Sequence, residues 1–307
     1  MSETLFKRAK DLPSTHLLGA GTAMCAGCGG LAAIKEVYDV LGENTVFVNA
    51  AGCMTLLSVY PFTPFRGSWL YTAMASAPAG AQGVRDALDI LKSTGKIAEQ
   101  DDLNVVCLTG DGSAGGIGLS ATSGALDRHL DFMYLCYDNE GYGNTGQQTS
   151  TATPHGARTA TEHHKTGNPD FKKDLFSVWT AHKPAYAATV VASEPLDLAR
   201  KVERAMTYKG PKMILALSPC PTGWDYDPQL TMELGRLAVK TGIWPLKEYI
   251  DGKVVHSRIK GRLPVEEYLS LQGRFAHLFN PVRNDKVIGE IQAHVDEYWA
   301  AVENVAA

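Results

Sequence analysis

The 307-residue sequence lacks the features that mark several classes of protein. No apolar run approaches the ~20 residues that a membrane-spanning helix needs. The N-terminal segment has no continuous apolar stretch of the kind found in secretory signals. The net charge is −4, and no cluster of Lys and Arg offsets it, which argues against nucleic-acid binding. These absences predict a cytoplasmic protein that binds neither a membrane nor nucleic acid.

Cysteine is also scarce, with six residues in the chain. In a cytoplasmic protein these residues are expected to be thiols or metal ligands rather than disulfides. A chain of this length can bury a sizeable core without disulfide bonds. Its 45% of hydrophobic and 20% of charged residues are typical of a globular α/β protein.

Short apolar runs alternate with helical patterns along most of the chain. The runs are continuous, as expected for strands covered on both faces of a parallel sheet, and span 45–49, 104–108, 132–137, 188–192 and 213–217. Helices are predicted at 31–41, 77–93, 118–128, 173–182 and 196–208. This alternation predicts a doubly wound parallel sheet, which binds ligands at the carboxyl ends of its strands.

Changes in composition divide the chain into three predicted regions. An arm with the first two cysteines spans 1–28, an α/β domain spans 29–220, and a C-terminal extension spans 221–307. The extension, which ends in a predicted amphipathic helix at 285–302, is expected to pack on the domain or on a partner subunit. Within the α/β domain, the stretch 141–168 is rich in Gly, Thr and His, and a loop of this length is usually functional.

A phosphate and metal site is predicted where two strands end. Gly110-Asp111-Gly112 directly follows one predicted strand; its glycines allow close approach to a phosphate, and Asp111 can bind Mg²⁺. Asn139 follows the next strand, so adjacent strands would bring it to the same sheet edge. Its side-chain oxygen and a carbonyl near Gly141 could complete the site. The Gly-Asp-Gly turn alone equally fits an ordinary turn.

Four cysteines lie in turns that contain Gly or Pro: Cys25, Cys28, Cys53 and Cys220. Four thiolates that meet suit a [4Fe–4S] cluster or a zinc ion. A thioredoxin-like redox pair would need a strand before its CxxC, and a structural zinc site would usually add a second CxxC. The spacing alone leaves the cluster and zinc open. Cys107 and Cys136 lie inside predicted strands and are expected to be small core residues.

Several motifs in order resemble the beta subunit of the pyruvate:ferredoxin oxidoreductases, within the wider 2-oxoacid:ferredoxin oxidoreductase family. They are CAGCG (25–29), NAAGC (49–53), YPFTPF (60–65), GDGSAGGIGLSATSGALDR (110–128), YDNEGYGNTGQQTSTATPHGA (137–157) and SPCPTGWDYDP (218–228), with LAVKTGIWPLKEY and LQGRF in the extension. The resemblance implies the thiamine-diphosphate-binding version of the α/β fold.

The resemblance also implies three cofactors: thiamine diphosphate, Mg²⁺ and one [4Fe–4S] cluster. It implies that Cys25, Cys28, Cys53 and Cys220 bind the cluster, and that Asp111, Asn139 and the Gly141 carbonyl hold Mg²⁺ on the diphosphate. Asn144 is implied to reach the reacting centre as a catalytic residue. The implied cofactor-binding residues are Gly52, Cys53, Gly110, Asp111, Gly112, Ser113, Asn139, Gly141, Tyr142, Asn144 and Thr145.

The implied activity is oxidative decarboxylation of a 2-oxoacid, with electrons passing through the cluster to ferredoxin. Pyruvate with coenzyme A, giving acetyl-CoA and CO2, is the commonest substrate of the family. An alpha subunit is expected to supply the substrate pocket and the Glu that activates thiamine, and gamma- or delta-type subunits further clusters. The chain is therefore expected to be inactive alone.

Two departures from the family keep other functions open. Ala51 stands where members commonly have Thr, and 73–78 reads AMASAP where members often carry a FENAA-like stretch. Oxalate, which needs no coenzyme A, and other 2-oxoacids therefore remain alternative substrates. A non-redox thiamine decarboxylase or synthase with structural zinc, and an electron-transfer subunit without thiamine, are the alternatives of other classes.

Overall fold

One mixed sheet organises the fold in the computed structural model, which describes residues 4–59, 61–162 and 167–306. Within these residues the sheet has eight strands: β1 (Thr45–Ala50), β2 (Ser68–Thr72), β3 (Asn104–Gly110), β4 (Met133–Asp138), β5 (Tyr186–Val191), β6 (Lys212–Leu217), β7 (Lys247–Ile250) and β8 (Lys253–His256). Their order is β2-β1-β3-β4-β6-β5-β7-β8. The first six pair in parallel, whereas β7 and β8 pair antiparallel at one edge.

Helices cover both faces of this sheet. They are α1 (Gly29–Leu41), α2 (Ala77–Ser93), α3 (Leu119–Asp127), α4 (Leu175–Thr180), α5 (Pro195–Met206), α6 (Pro221–Trp224), α7 (Thr231–Lys240), α8 (Glu266–Leu269) and α9 (Asp285–Ala306). Alternate residues of β3 face opposite cores: Val106 packs with α1 and α5, whereas Val105 packs with α2 and α3. The sheet is therefore doubly wound, which confirms the predicted fold class.

The predicted strands and helices agree with the structure except at their ends, and the strands at both edges of the sheet were not predicted. The helix predicted at 173–182 begins only at Leu175, because the Asp174 side chain accepts the Ser177 N–H and caps it. The sequence analysis missed β2, an edge strand with mostly exposed side chains and little apolar signal. It also missed the hairpin of β7 and β8, which turns at Asp251-Gly252 with positive φ at both residues.

The C-terminal extension packs on the α/β domain. Strand β7 pairs with β5, and the buried side chains of Trp224, Trp244 and Trp299 belong to the same core as the sheet. The boundaries of the three predicted regions stay a prediction. No helix in the described part of the chain is long and apolar enough to span a membrane.

Candidate functional site

The ends of β3 and β4 form the centre of the candidate site. These strands are neighbours and run parallel, with Gly110 opposite Tyr137. Asp111 directly follows β3 and Asn139 directly follows β4, so both lie at one sheet edge. A Cβ atom at Gly112 would lie 2.3 Å from a ring carbon of Tyr142, so only glycine lets the two loops approach this closely.

Three oxygen atoms converge at this edge, and their spacing fits a divalent cation. The amide end of Asn139 that faces Asp111 lies 2.7 Å from Asp111 Oδ1 and 3.0 Å from the Gly141 carbonyl. The Asn139 amide nitrogen lies 3.8 Å from Cys53 Sγ. The atom that faces Asp111 Oδ1 and the Gly141 carbonyl is therefore the amide oxygen. Oxygens bound side by side to Mg²⁺ lie about 2.9 Å apart. Rotating the Asn139 amide by 180° would let its nitrogen donate to Asp111 Oδ1 and to the Gly141 carbonyl. In the present orientation, the three oxygens match the ligands that Mg²⁺ prefers.

The electrostatics of Asp111 also suit a bound cation. Its side chain is buried, and the Ser150 hydroxyl donates to its Oδ2 atom. Burial, together with the nearby Asp138 carboxylate, raises the pKa of Asp111 to about 8. A positive ion beside Asp111 would favour the charged carboxylate and offset this burial.

A pocket of about 180 Å³ opens beside these oxygens. It is lined by ten of the sequence-predicted cofactor residues: Gly52, Cys53, Gly110, Gly112, Ser113, Asn139, Gly141, Tyr142, Asn144 and Thr145. Asp111, the eleventh, instead lines a neighbouring cavity. Asn144 and Thr145 are exposed at the pocket, as is Tyr71, so part of the lining faces outward. The pocket thus has glycine-rich turns for a phosphate and an open side.

The four turn cysteines lie within electrostatic reach of one another. Burial raises the pKa of Cys28 to about 11, with smaller increases from Cys220 and Cys25. The pKa of Cys53 rises to about 12, first by burial and then through the other three. A positive metal centre beside Cys28 and Cys53 would oppose these increases, because it favours the thiolate form. Cys107 and Cys136 are fully buried in their strands, as predicted.

Backbone donors support two of these sulfurs. Cys28 caps the N-terminus of α1, and its Sγ accepts the Leu31 N–H at 3.4 Å. Cys220 caps α6 in the same way, with Gly223 N–H at 3.3 Å. Among the described residues, no three His, Cys, Asp or Glu side chains are placed to hold one metal ion. A four-iron cluster needs a wider arrangement than a single ion, because each cysteine binds a different iron.

Comparisons with known proteins decide the family. Residues 50–216 match the family described as thiamine pyrophosphate enzyme, C-terminal TPP binding domain. The chain is 41% identical to pyruvate synthase subunit PorB of Methanocaldococcus jannaschii, covering 94% of this chain and 96% of that relative. It is 36% identical to ketoisovalerate oxidoreductase subunit VorB of Pyrococcus abyssi, covering 98% and 96%. The chain belongs to the PorB family of 2-oxoacid:ferredoxin oxidoreductase subunits.

A solved structure shows the same fold. It is 2-oxoglutarate:ferredoxin oxidoreductase from Magnetococcus marinus, with a TM-score of 0.51 and 23% identity, covering 74% of this chain and 79% of that chain. The relatives confirm the resemblance found in the sequence and the enzyme class, and the solved structure confirms the fold. The thiamine-binding family match supports thiamine diphosphate as a cofactor. The comparisons do not favour the non-redox or the thiamine-free alternatives.

The sequence analysis missed the charged residues that surround the Asn139 loop. Glu140 lies inside the quoted motif and Arg274 inside LQGRF, but no role was assigned to either. The structure brings them together with an ion-pair distance of 2.7 Å. Lys172, which no motif marked, binds Glu140 as well at 2.9 Å. The available signal was the charge of Glu140 and Arg274 within the quoted motifs, and it does not indicate which residues pair.

Proposed function

We propose that this chain is the thiamine-diphosphate-binding and iron–sulfur-binding subunit of a pyruvate:ferredoxin oxidoreductase. The reaction would convert pyruvate and coenzyme A to acetyl-CoA and CO2, with ferredoxin as electron acceptor. One observation carries the proposal: Asn139 faces the Asp111 and Gly141 oxygens at one end of its amide and Cys53 Sγ at the other. A thiamine site and a cysteine group that share one side chain suit decarboxylation coupled to electron removal.

The chain's part in this chemistry would be to bind and orient. Bound thiamine diphosphate would supply the electron sink that accepts the electron pair left when CO2 departs. Asp111, Asn139 and the Gly141 carbonyl would hold Mg²⁺ on the diphosphate, while the turn at Gly112 lets the backbone approach it. Asn144, exposed at the pocket, would reach the reacting centre.

Cys25, Cys28, Cys53 and Cys220 would hold a [4Fe–4S] cluster beside this pocket. Cys53 belongs to the pocket lining and to the cysteine group, which supports a short path for electrons from the cofactor. Cys25 is the exposed member of the group. Electrons would therefore leave on its side, towards the clusters of gamma- or delta-type subunits and then ferredoxin.

An alpha subunit would complete the active site. Cofactor pockets usually bury most of their ligand. Here Tyr71 at the pocket is 53% exposed and lies on the edge strand β2, with Leu70 beside it 44% exposed. A second chain covering this edge would supply the remaining wall, the substrate pocket and the Glu that activates thiamine. The chain alone would be inactive, and its location would be cytoplasmic.

Anaerobic visible absorbance of the intact complex tests the substrate. Pyruvate, 2-ketoisovalerate, 2-oxoglutarate and oxalate are added in turn, each with and without coenzyme A. We expect cluster bleaching with pyruvate that is completed only by coenzyme A. Stronger bleaching with 2-ketoisovalerate would assign the VorB substrate instead. Full bleaching by oxalate without coenzyme A would link the altered 73–78 segment to a changed substrate.

The same preparation tests the cluster ligands with a matched pair of variants. Cys28→Ala and Cys107→Ala each remove one thiol, the first from the cysteine group and the second from the core of β3. We expect the first to lose the iron and acid-labile sulfide of one cluster and the second to keep the full content of the complex. Zinc in place of iron on this chain, separated from the other subunits, would refute the redox proposal.

A further inference from the structure

Four charged side chains, three of them buried and Lys172 partly exposed, form a cluster behind the Asn139 loop. Asp138 and Glu140 flank Asn139, and Lys172 lies between their carboxylates, with Nζ 3.0 Å from Asp138 Oδ2 and 2.9 Å from Glu140 Oε1. Arg274, from the C-terminal extension, lies 2.7 Å from the other Glu140 oxygen. We call these four residues the charge tetrad. Its two cations balance its two carboxylates, so no net charge is buried.

The tetrad holds a backbone conformation that the metal site needs. Glu140 has a φ of +61°, in the left-handed region that residues other than glycine rarely adopt. Its N–H donates to Asp138 Oδ1 at 3.1 Å, and Thr153 Oγ1 donates to its carbonyl at 2.8 Å. This turn at Glu140 separates Asn139 from Gly141. The positions of the Asn139 side chain, which faces Asp111, and of the Gly141 carbonyl beside it therefore depend on how Glu140 is held.

Arg274 also contacts the element that follows Cys220. Its guanidinium lies 3.8 Å from the centre of the Trp224 ring, at the end of helix α6. The Trp224 indole N–H donates to the Asn139 carbonyl at 2.9 Å. One arginine thus fixes the loop twice, through the Glu140 carboxylate and through Trp224. A lysine could keep the charge but could not lie flat on the indole and pair with Glu140 at once.

We infer that Arg274 and Lys172 are positioning residues for the metal on the diphosphate. By pairing with both oxygens of Glu140 they hold the loop so that the Asn139 oxygen lies beside both Asp111 Oδ1 and the Gly141 carbonyl. The inference rests on the proposed magnesium site. It assigns to LQGRF, a motif of the extension distant in sequence from the loop, a role in metal affinity. Groups that orient metal ligands from behind typically change affinity about 10–100-fold when removed.

The test measures metal affinity rather than turnover. The intact complex is stripped with a chelator and titrated with Mn²⁺ in the presence of thiamine diphosphate, with free Mn²⁺ followed by electron paramagnetic resonance. We expect Arg274→Met to weaken Mn²⁺ binding about 10–100-fold. Arg274→Lys should fall between Arg274→Met and the wild type. The control is Arg236→Met, which breaks an exposed pair with Glu233 on α7 and should bind like the wild type.

The possible outcomes separate the inference from the proposed function. A purely structural ion pair would lower the unfolding temperature but leave Mn²⁺ affinity, measured well below that temperature, within twofold of the wild type; this result overturns the inference. If Arg274→Met does not assemble, Arg274→Lys decides in the same way, because it keeps the buried charge. A wild-type complex with no thiamine-dependent Mn²⁺ binding would instead refute the proposed metal site itself.

Discussion

Replacing Trp224 with Phe isolates the hydrogen bond between the two halves of the candidate site. The Trp224 indole donates to the Asn139 carbonyl at 2.9 Å, in a fully buried contact. Trp224 also ends the helix that Cys220 caps. Phenylalanine would keep most of the packing and the ring for Arg274, but it would leave the Asn139 carbonyl without its donor.

The expected loss of stability follows from three contacts. A buried acceptor left unsatisfied costs about 1–3 kcal/mol. The smaller ring leaves a void that costs about 1 kcal/mol, and its weaker cation–π contact with Arg274 costs about 0.5 kcal/mol. Trp224→Phe should therefore lower the free energy of unfolding by about 2.5–4.5 kcal/mol. Without this hydrogen bond the Asn139 backbone is held less firmly, and its side chain must be ordered when the metal binds. If this ordering costs about 1.4 kcal/mol, Mn²⁺ binding should weaken roughly tenfold.

The extension offers a closely matched control in Trp299. Its indole N–H donates to a buried carbonyl, Gly242, at 3.0 Å, and Arg262 lies over its ring at 5.7 Å. Urea unfolding of the purified chain should show a similar loss for Trp224→Phe and Trp299→Phe. Mn²⁺ titration of the complex should show weaker binding only for Trp224→Phe. Equal Mn²⁺ affinities in the two variants would refute the reasoning.

Two further predictions concern close packing and pH. Gly112→Ala would put a Cβ 2.3 Å from the Tyr142 ring, so we expect about tenfold weaker binding of thiamine diphosphate, measured by calorimetry. The control is Gly83→Ala in α2, where the new Cβ meets open space. This variant should keep the affinity and raise the free energy of unfolding by up to ~1 kcal/mol. Burial raises the pKa of Glu36 from 4.5 to about 8, so folding favours its protonated form and stability falls as pH rises through this interval. Glu36→Gln should remove that loss and be more stable than the wild type by on the order of 3 kcal/mol at pH 9, measured by urea unfolding; equal stabilities at pH 9 would contradict the assigned cause.

The parts of the site that the sequence predicted depend on neighbouring strands. Asp111 and Asn139 follow two apolar runs separated by one helix, and consecutive strands of a doubly wound sheet usually lie side by side. That rule was enough to bring the two residues to one edge. The sequence also indicated that the four turn cysteines form a group, because each lies in a turn with Gly or Pro near the end of a strand or helix.

Other parts had no local signal. Glu140 and Arg274 lie 134 positions apart, and nothing in either segment names the other. The left-handed conformation at Glu140 was equally unpredictable, because it is held by partners from distant segments rather than by glycine. Strand β2 escaped notice because an edge strand needs no continuous apolar run. The sequence patterns therefore did not predict which residues distant in sequence contact one another.

The contacts of the Asn139 loop indicate that the C-terminal extension supports the candidate site. On one side the loop faces Asp111 and Cys53, and on the other it is held by Trp224 and Arg274. A segment that only docked on a partner would not need a buried arginine against this loop. Because Trp224 lies four residues after Cys220 and donates to the Asn139 carbonyl, a shift of the cysteine group would move the oxygens of the proposed metal site, and the reverse. In the proposed function the extension would thus fix the distance between the metal site and the cysteine group, on which electron transfer between them would depend.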